Sequence, residues 1–164
     1  MADSKALQTP TDLNRNDTKS VADALNSALA DSFALYFKTK NFHWHVSGPH
    51  FRDYHLLMDD QAAQIYAITD AIAERVRKTG NTTLRSVGDI ARRQTSKDND
   101  ADFVSAADML AELRDDNLKL VESFRAVKEA AEAAGDNATS GIVDEWTDQA
   151  EERAWFLFEA SRKG

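Results

Sequence analysis

Apolar residues recur along this 164-residue chain at the three- and four-residue spacing of amphipathic helices. One row advances by alternating steps of four and three residues: Phe51, His55, Met58, Ala62, Ile65, Thr69, Ile72 and Val76. A second row has the same spacing: Ala106, Leu110, Leu113, Asn117, Leu120, Phe124, Val127 and Ala131. We expect each row to be the buried face of a long helix, with Asn117 as a buried hydrogen-bonding residue.

Turn-forming residues divide the chain into four long helices and one short helix. Of the two prolines and six glycines, Gly48, Pro49, Gly80 and Gly135 lie at breaks between segments rich in good helix formers. The predicted long helices run from about Thr18, capped by Asp17, to Val46; from about His50 to Gly80; from about Phe103 to Ala134; and from about Asn137 to Ala160. The short helix is expected near Leu84 to Arg93, and the last long helix should bury Ile142, Trp146, Ala154 and Leu157.

The similar lengths of the long helices predict an all-α fold, an antiparallel four-helix bundle with a short helix in the connection between the second and third helices. At 1.5 Å per residue each long helix would extend roughly 36 to 48 Å. A chain of this size is expected to form one domain. We assign that bundle domain to residues 17–164 and a flexible N-terminal tail to residues 1–16.

Composition narrows the candidate chemistry. The chain has no cysteine, so a bound metal would need nitrogen and oxygen ligands, which suit iron, manganese, zinc and copper. A formal net charge of -8 favours cations over nucleic acid as partners, although charge alone decides neither. The sequence shows neither a signal-peptide pattern nor an apolar run of membrane-spanning length, which predicts a cytoplasmic protein without a membrane partner.

All the histidines of the chain lie in one short stretch, at positions 43, 45, 50 and 55. The turn predicted at residues 47–49 folds the chain back, so His43 and His55 should converge from the ends of two neighbouring helices. His45 and His50 are expected to be surface or cap residues, with an accessory copper or zinc role left open. A single histidine on a helix face is otherwise most often a hydrogen-bonded core residue.

Three carboxylates share the side of the second helix that carries His55. Asp59, Asp70 and Glu74 lie within about 100° of His55 around the helix axis. His55 and Asp70 are nevertheless about 22 Å apart along that axis, whereas metal ligands must lie about 2 Å from the ion. One chain therefore cannot bring these four side chains to a single metal, and the carboxylates alone could equally be a solvated face.

A twofold axis between two copies of the second helix would bring them together, because such an interface sets residue i against j and j against i. Residue numbers of facing pairs then have a nearly constant sum, 125 for His55 with Asp70, and 129 for His55 with Glu74 and for Asp59 with Asp70. The axis would pass near residues 62 to 65, a stretch that begins with two alanines. Each of two identical metal sites would use both subunits: His43, His55 and Asp59 from one, and Asp70 and Glu74 from the other.

The stretch KNFHWHVSGPHFRDYHLLMDD, followed by ITDAIAERV, resembles the Dps family, the DNA-binding proteins from starved cells, which are ferritin-like miniferritins. The family pattern places a histidine–tryptophan pair before a glycine, a second histidine and an aspartate, and then an aspartate, a glutamate and an arginine. The matching residues here are His43, Trp44, Gly48, His55, Asp59, Asp70, Glu74 and Arg75. With the ending EERAWFLFEA, the resemblance covers nearly all of the chain after residue 17.

The resemblance implies a hollow dodecamer with a ferroxidase centre at each twofold interface. Such an oxidoreductase binds two iron ions per site, oxidises Fe²⁺ preferentially with hydrogen peroxide, and stores ferric iron inside the cage, which protects against oxidative damage. The resemblance also implies that other divalent metals can substitute for iron. Asp70 would be the bridging carboxylate, and Trp44 beside the site would intercept stray oxidising equivalents.

The resemblance also implies acidic pores at threefold axes through which Fe²⁺ enters. The candidate pore residues lie in or next to the last helix: Asp136, Asp144, Glu145 and Asp148. A helical assembly with only a structural zinc, or with no metal, is a further reading. It requires that replacing His55 and Asp70 leave iron oxidation unchanged.

DNA is the partner on which the sequence departs from the family's pattern. Members that condense DNA often have a lysine-rich tail, but the first nineteen residues here carry three basic and three acidic side chains. Such a neutral tail would release few counterions from a phosphate backbone. DNA compaction in the nucleoid, with iron oxidation secondary, therefore remains the alternative function.

Overall fold

The computed structural model describes residues 4–162, and within that range all regular structure is helical. Its five α-helices are α1 (Arg15–His45), α2 (Phe51–Lys78), α3 (Val87–Arg93), α4 (Ala106–Ala133) and α5 (Asn137–Ala160), preceded by a 3₁₀ turn at Ser4–Leu7. The predicted architecture of four long helices, with a short one between the second and third, is confirmed. None of these helices is apolar enough over a sufficient length to cross a membrane.

The long helices form one bundle, in which α1 packs against α2 and α4, and α4 packs against α5. The α4 row is buried from Leu110 to Ala131, as its spacing predicts. The α2 row is buried from Met58 to Val76, but the prediction fails at its N-terminal end, where Phe51 is exposed and His55 is half-buried. The first turn of α2 thus leaves a histidine accessible at the edge of the bundle.

The start of α1 differs from the prediction. Asn14, not Asp17, is the N-cap, and its side chain accepts a hydrogen bond of 2.8 Å from the backbone N–H of Asn16. Asp17 lies in the first turn of the helix, where its negative charge still suits the helix dipole. Both residues are good caps, and local sequence alone does not choose between them.

Whereas α1 starts earlier than predicted, α3 and α4 start later, and a serine caps each of these two helices. Ser86 and Ser105 accept hydrogen bonds of 3.1 Å from the backbone N–H groups of Asp89 and Asp108, respectively. Phe103, the predicted start of α4, lies exposed in the preceding loop. The last helix, by contrast, spans the predicted residues.

The turn between α1 and α2 sets the position of the two candidate imidazoles. Gly48 adopts a positive φ of 114°, a conformation that favours glycine over residues with a side chain. The chain therefore reverses within residues 46–50, and the C-terminal turn of α1 lies beside the first turns of α2. This reversal brings His43 and His55 together.

Several polar side chains are buried between the helices with their partners. Lys38 Nζ lies 2.7 Å from Asp116 Oδ2 and 2.9 Å from Glu112 Oε1, which ties α1 to α4. Asn117 is fully buried, and its Oδ1 accepts a hydrogen bond of 2.8 Å from Arg153 Nε of α5. The prediction of a buried hydrogen-bonding role for Asn117 is confirmed.

Part of the predicted N-terminal tail lies against the bundle. Residues 1–3 of the predicted 1–16 segment fall outside the described range. Farther along, Arg77 Nη2 donates a hydrogen bond of 2.7 Å to the backbone oxygen of Leu7, and Arg15 Nη2 donates one of 2.9 Å to Gln8 Oε1. The division into tail and bundle at residue 17 stays a prediction, although α1 already begins at Arg15.

Candidate metal centre

His43 and His55 face each other across the α1–α2 boundary. Their rings are stacked, with centroids 3.8 Å apart and planes inclined by 19°. His43 is buried, whereas His55 is half-buried, and Phe51 stacks on its ring at 5.0 Å. The sequence-based expectation that these two histidines converge is met within one subunit.

A reciprocal pair of hydrogen bonds fixes both rings. His43 Nδ1 lies 2.7 Å from the backbone oxygen of His55, and His55 Nδ1 lies 2.8 Å from the backbone oxygen of His43. A carbonyl oxygen can only accept, so each Nδ1 must carry the proton and donate it. Each Nε2 of a neutral ring then keeps a free lone pair, the arrangement in which histidine ligates metals.

Asp59 adds an oxygen donor to this pair. Its Oδ1 lies 3.8 Å from His43 Nε2, and its carboxylate is half-exposed. The same oxygen accepts a hydrogen bond of 2.7 Å from Lys40 Nζ, and this bond lowers the pKa of the Asp59 carboxyl group. A metal that binds this oxygen would therefore compete with the ammonium group of Lys40.

Sequence reasoning missed Lys40, although a signal for it exists. It precedes His43 by three residues, which places both side chains on neighbouring parts of the same helix face. The contact itself depends on how α1 and α2 are aligned, and the sequence does not reveal that alignment. Lys40 Nζ also lies 6.0 Å from the ring centroid of Trp44.

Asp70 and Glu74 lie on α2 with exposed side chains, far from the imidazoles of their own subunit. Fifteen residues of helix, about 22 Å, separate His55 from Asp70. Among the described residues of a single chain, no three histidine, aspartate or glutamate side chains are arranged to hold one metal ion. The predicted set of five ligands is therefore not assembled within one subunit, and the shared site stays a prediction.

The residues of α2 near the predicted twofold axis refine that prediction. Ala62 is buried in the core of its own subunit and cannot face a second copy. Ala63 is exposed, so the close approach of two helices would use Ala63 alone. Tyr66, one turn farther along, is also exposed on α2.

The remaining aromatic and histidine candidates are exposed on the surface of the subunit. Trp44 is exposed and meets Phe37 edge to face, with ring centroids 6.1 Å apart. His45 is exposed, and its Nδ1 donates to the backbone oxygen of Asn41 at 2.8 Å. His50 is the exposed N-cap residue of α2. His45 and His50 thus have the surface and cap positions expected of them.

Asp136 does not fit the prediction that it lines a pore. It is buried, and its Oδ1 accepts hydrogen bonds of 3.0 Å from both the backbone N–H of Thr139 and Nη2 of Arg75. Asp136 and Arg75 therefore hold the start of α5 against α2. The other pore candidates are exposed: Asp144, Glu145 and Asp148. Asp144 accepts a hydrogen bond of 2.8 Å from Lys128.

The helix order, with the imidazole pair at the edge of the bundle, is that of a ferritin-like four-helix bundle. A family model for the ferritin-like domain matches residues 22–163. A low temperature-induced protein of Nostoc sp. is 34% identical over 146 residues, which cover 88% of this chain and 82% of the relative. The DNA protection during starvation protein of Agrobacterium fabrum is 30% identical over 153 residues, covering 93% of this chain and 94% of the relative.

A solved structure agrees with this similarity. The archaeal Dps homologue of Halobacterium salinarum superposes with a TM-score of 0.87 and 28% identity, covering 92% of this chain and 84% of that one. The chain belongs to the Dps family of ferritin-like proteins. Membership of this family supports a general role in iron storage and protection.

Many helix-bundle di-iron proteins hold the metal inside the bundle, with glutamates and histidines that project inward from four helices. In the described part of this chain, the buried acidic residues are aspartates, and each is already paired: Asp31 with Thr95 and Ser96, Asp116 with Lys38, and Asp136 with Arg75. The buried Arg153 adds a positive charge beside Asn117, although burial lowers the pKa of its guanidinium to about 10. The bundle interior therefore disfavours iron, and the imidazole pair at the edge of the bundle is the better candidate.

Proposed function

We propose that this protein is a ferroxidase and an iron-storage protein, whose metal sites form between two subunits. Each site would combine His43, His55 and Asp59 of one subunit with Asp70 and Glu74 of the other. The main supporting observation is the reciprocal bonding of the two imidazoles, which engages both Nδ1 atoms with the backbone and leaves the Nε2 atoms for a metal. Imidazole nitrogen and carboxylate oxygen suit iron in both oxidation states.

The two iron ions of a site are the substrate. Two Fe²⁺ ions give one electron each to hydrogen peroxide, the O–O bond breaks, and water supplies the remaining oxygen of two ferric oxyhydroxide units as four protons leave. Removing Fe²⁺ and peroxide together would prevent the hydroxyl radicals that they otherwise form. The residues of the chain bind and position the ions, and Asp59 would exchange Lys40 for a metal as the site fills.

The oligomeric cage is part of this proposal. With Asp70 and Glu74 exposed and remote from the imidazoles of their own subunit, a twofold-related copy would complete each site. The Dps resemblance extends this to a dodecamer with a ferric store inside. The exposed acids Asp144, Glu145 and Asp148 of α5 would attract cations to its pores.

The experiment that tests the proposal is anaerobic loading with Fe²⁺, followed by a stoichiometric pulse of hydrogen peroxide. Absorbance in the near ultraviolet follows ferric iron, and the His43→Ala/Asp70→Ala double variant is the comparison. We expect fast oxidation at a ratio of two irons to one peroxide in the wild type and its loss in the variant. Equal, slow oxidation in both proteins would refute the ferroxidase site.

DNA compaction is the second candidate function, and it is favoured by the similarity to the Agrobacterium fabrum relative, a DNA protection during starvation protein. The net charge of -8 disfavours strong binding to DNA, because a negatively charged protein repels the phosphate backbone. Gel retardation of the intact assembly over a series of salt concentrations tests this candidate. Retardation that weakens steeply with salt would support it, and free migration of the DNA at low salt would exclude it.

A further inference from the structure

Two of the three tyrosines of the chain form a pair across the α1–α2 boundary. The rings of Tyr36 and Tyr66 have centroids 5.2 Å apart and planes inclined by 42°. Tyr36 is half-buried and Tyr66 is exposed. The third tyrosine, Tyr54, lies elsewhere, where its hydroxyl donates a hydrogen bond of 3.2 Å to the backbone oxygen of Ala160.

The pair continues the same row of cross-helix contacts as the candidate metal centre. Along α1 and α2 the successive contacts are His43 with His55, Lys40 with Asp59, and Tyr36 with Tyr66. Tyr36 precedes His43 by seven residues, and Tyr66 follows Asp59 by seven. Seven residues make two helical turns, about 10 Å, and return to within about 20° of the same side of the helix. The phenols therefore lie beside the centre on the face that carries its ligands.

We propose that the Tyr36–Tyr66 pair donates electrons to the metal centre when peroxide meets a site that holds a single Fe²⁺. This inference rests on the proposed ferroxidase function. Peroxide needs two electrons to become water, and one Fe²⁺ supplies only one. A phenol supplies the second electron and releases its proton: hydrogen peroxide, Fe²⁺, tyrosine and one proton give Fe³⁺, a tyrosyl radical and two waters.

A second phenol at contact distance determines what becomes of the oxidising equivalents. Two such events can oxidise both rings of one pair, and the two radicals then couple through a carbon–carbon bond next to each hydroxyl. The coupled product, dityrosine, has lost two hydrogen atoms in total. It fluoresces at wavelengths at which tyrosine does not, and it links α1 covalently to α2. The oxidising equivalents thus end at a known position instead of at random side chains.

The test gives the intact assembly two successive anaerobic additions of one Fe²⁺ per site, each followed by one equivalent of peroxide, because one link requires two one-electron events. Dityrosine fluorescence reports the amount of product, and peptide mass spectrometry locates the link. We expect a Tyr36–Tyr66 link in the wild type and in Tyr54→Phe, and its loss in Tyr36→Phe and in Tyr66→Phe. Phenylalanine preserves the ring packing, so iron oxidation at full loading should remain unchanged in all three variants.

Several results would overturn the proposal. The wild type could form no link, the link could involve Tyr54, or its yield could be the same in the His43→Ala/Asp70→Ala variant. The last result would mean that free iron generates the oxidant in solution. Oxidation of Trp44 in the wild type at the level seen in the tyrosine variants, without any link, would assign the electrons to Trp44 alone.

An iron-free arm separates failure of the pair from failure of the ferroxidase function. A photochemical one-electron oxidant, a ruthenium complex with persulfate, generates tyrosyl radicals without using the metal centre. A Tyr36–Tyr66 link in this arm, with slow iron oxidation in the wild type, would overturn the ferroxidase function and electron donation to the metal centre with it, and would show only that the two phenols can couple. Fast iron oxidation with no link in either arm would overturn the pair and leave the ferroxidase function standing.

Discussion

If each metal site is shared between two subunits, oligomers that mix two inactive variants should regain some intact sites. The nitrogen half of the site consists of His43, His55 and Asp59 of one subunit, and the carboxylate half consists of Asp70 and Glu74 of the other. His43→Ala removes a ligand from the nitrogen half, and Asp70→Ala removes one from the carboxylate half. Each variant alone damages all of its sites. In a dimer that contains one subunit of each kind, both damaged halves fall in the same site. The other site then combines an intact nitrogen half with an intact carboxylate half.

The magnitude follows from the twofold geometry. Random mixing of equal amounts makes about half of the dimers mixed, and one of their two sites is intact, so about one quarter of all sites should regain activity. The matched control mixes His43→Ala with His55→Ala. These residues share one half of the site within a subunit, with ring centroids 3.8 Å apart, so every site in that mixture lacks an imidazole.

The assay is the peroxide pulse after anaerobic Fe²⁺ loading, on oligomers refolded together from denaturant or co-expressed with two tags. We expect a burst of oxidation at about one quarter of the wild-type amplitude for the first mixture and none for the control. No recovery in the first mixture, after mixed oligomers have been shown to form, would refute the shared site. Equal recovery in both mixtures would refute it as well.

Three other predictions concern the contacts around the centre and the core. Lys40→Gln should tighten Zn²⁺ or Co²⁺ binding by a few fold in calorimetry, because the cation no longer competes with metal for Asp59; unchanged affinity would contradict this. Lys38→Met leaves Asp116 buried without its main partner, and urea unfolding at fixed protein concentration should show a loss of about 3 to 5 kcal/mol. Burial alone would lower the pKa of Lys38, but the hydrogen bonds to its carboxylate partners outweigh it and the pKa is raised, so its stabilisation is present below pH 10.5 and lost as the pH rises through the folded value. Asp136→Ala removes the cap of α5 and should cost about 2 kcal/mol or more, whereas Asp136→Asn should recover part of the loss; equal stability of the two variants would contradict the capping role.

Matched controls exist for two of these changes. Lys19 and Asp23 form an ion pair of 2.6 Å on the exposed side of α1, so Lys19→Met should alter the unfolding free energy by less than about 0.5 kcal/mol. Lys19→Gln should likewise leave metal affinity unchanged. A loss in Lys19→Met equal to that in Lys38→Met would mean that burial of the Lys38 cluster is not the cause.

The sequence predicted the helices well where turn-forming and capping residues mark their ends. Gly135, Asp136 and Asn137 mark the start of α5, and its predicted bounds agree with the structure. The start of α1 was predicted wrongly because Asn14 and Asp17 are equally suitable caps, and Asn14 is the residue that caps the helix. The pattern Ser105 to Asp108 could have located the start of α4, since a serine followed three residues later by an acidic residue is a known cap signature.

For the candidate site, the sequence predicted which residues converge but not how they are bonded. The turn at Gly48 implied that His43 meets His55, and the structure confirms it. The reciprocal bonds to backbone oxygens could not be predicted, because they depend on the alignment and rotation of α1 against α2. The Lys40 contact and the tyrosine pair depend on the same alignment. Asp70 and Glu74 need a second subunit, so their role remains a prediction from residue spacing.

The most direct test of the central claim is anomalous diffraction from crystals of the intact assembly soaked anaerobically with Fe²⁺, with Zn²⁺ as a redox-inert comparison. We predict two symmetry-related metal sites at each twofold contact between α2 helices, with up to two iron peaks in each site. Each peak should lie about 2 Å from Nε2 of His43 or His55 of one subunit and from carboxylate oxygens of Asp70 and Glu74 of the other. A peak inside a single helix bundle, or no peak at the paired imidazoles, would contradict the account.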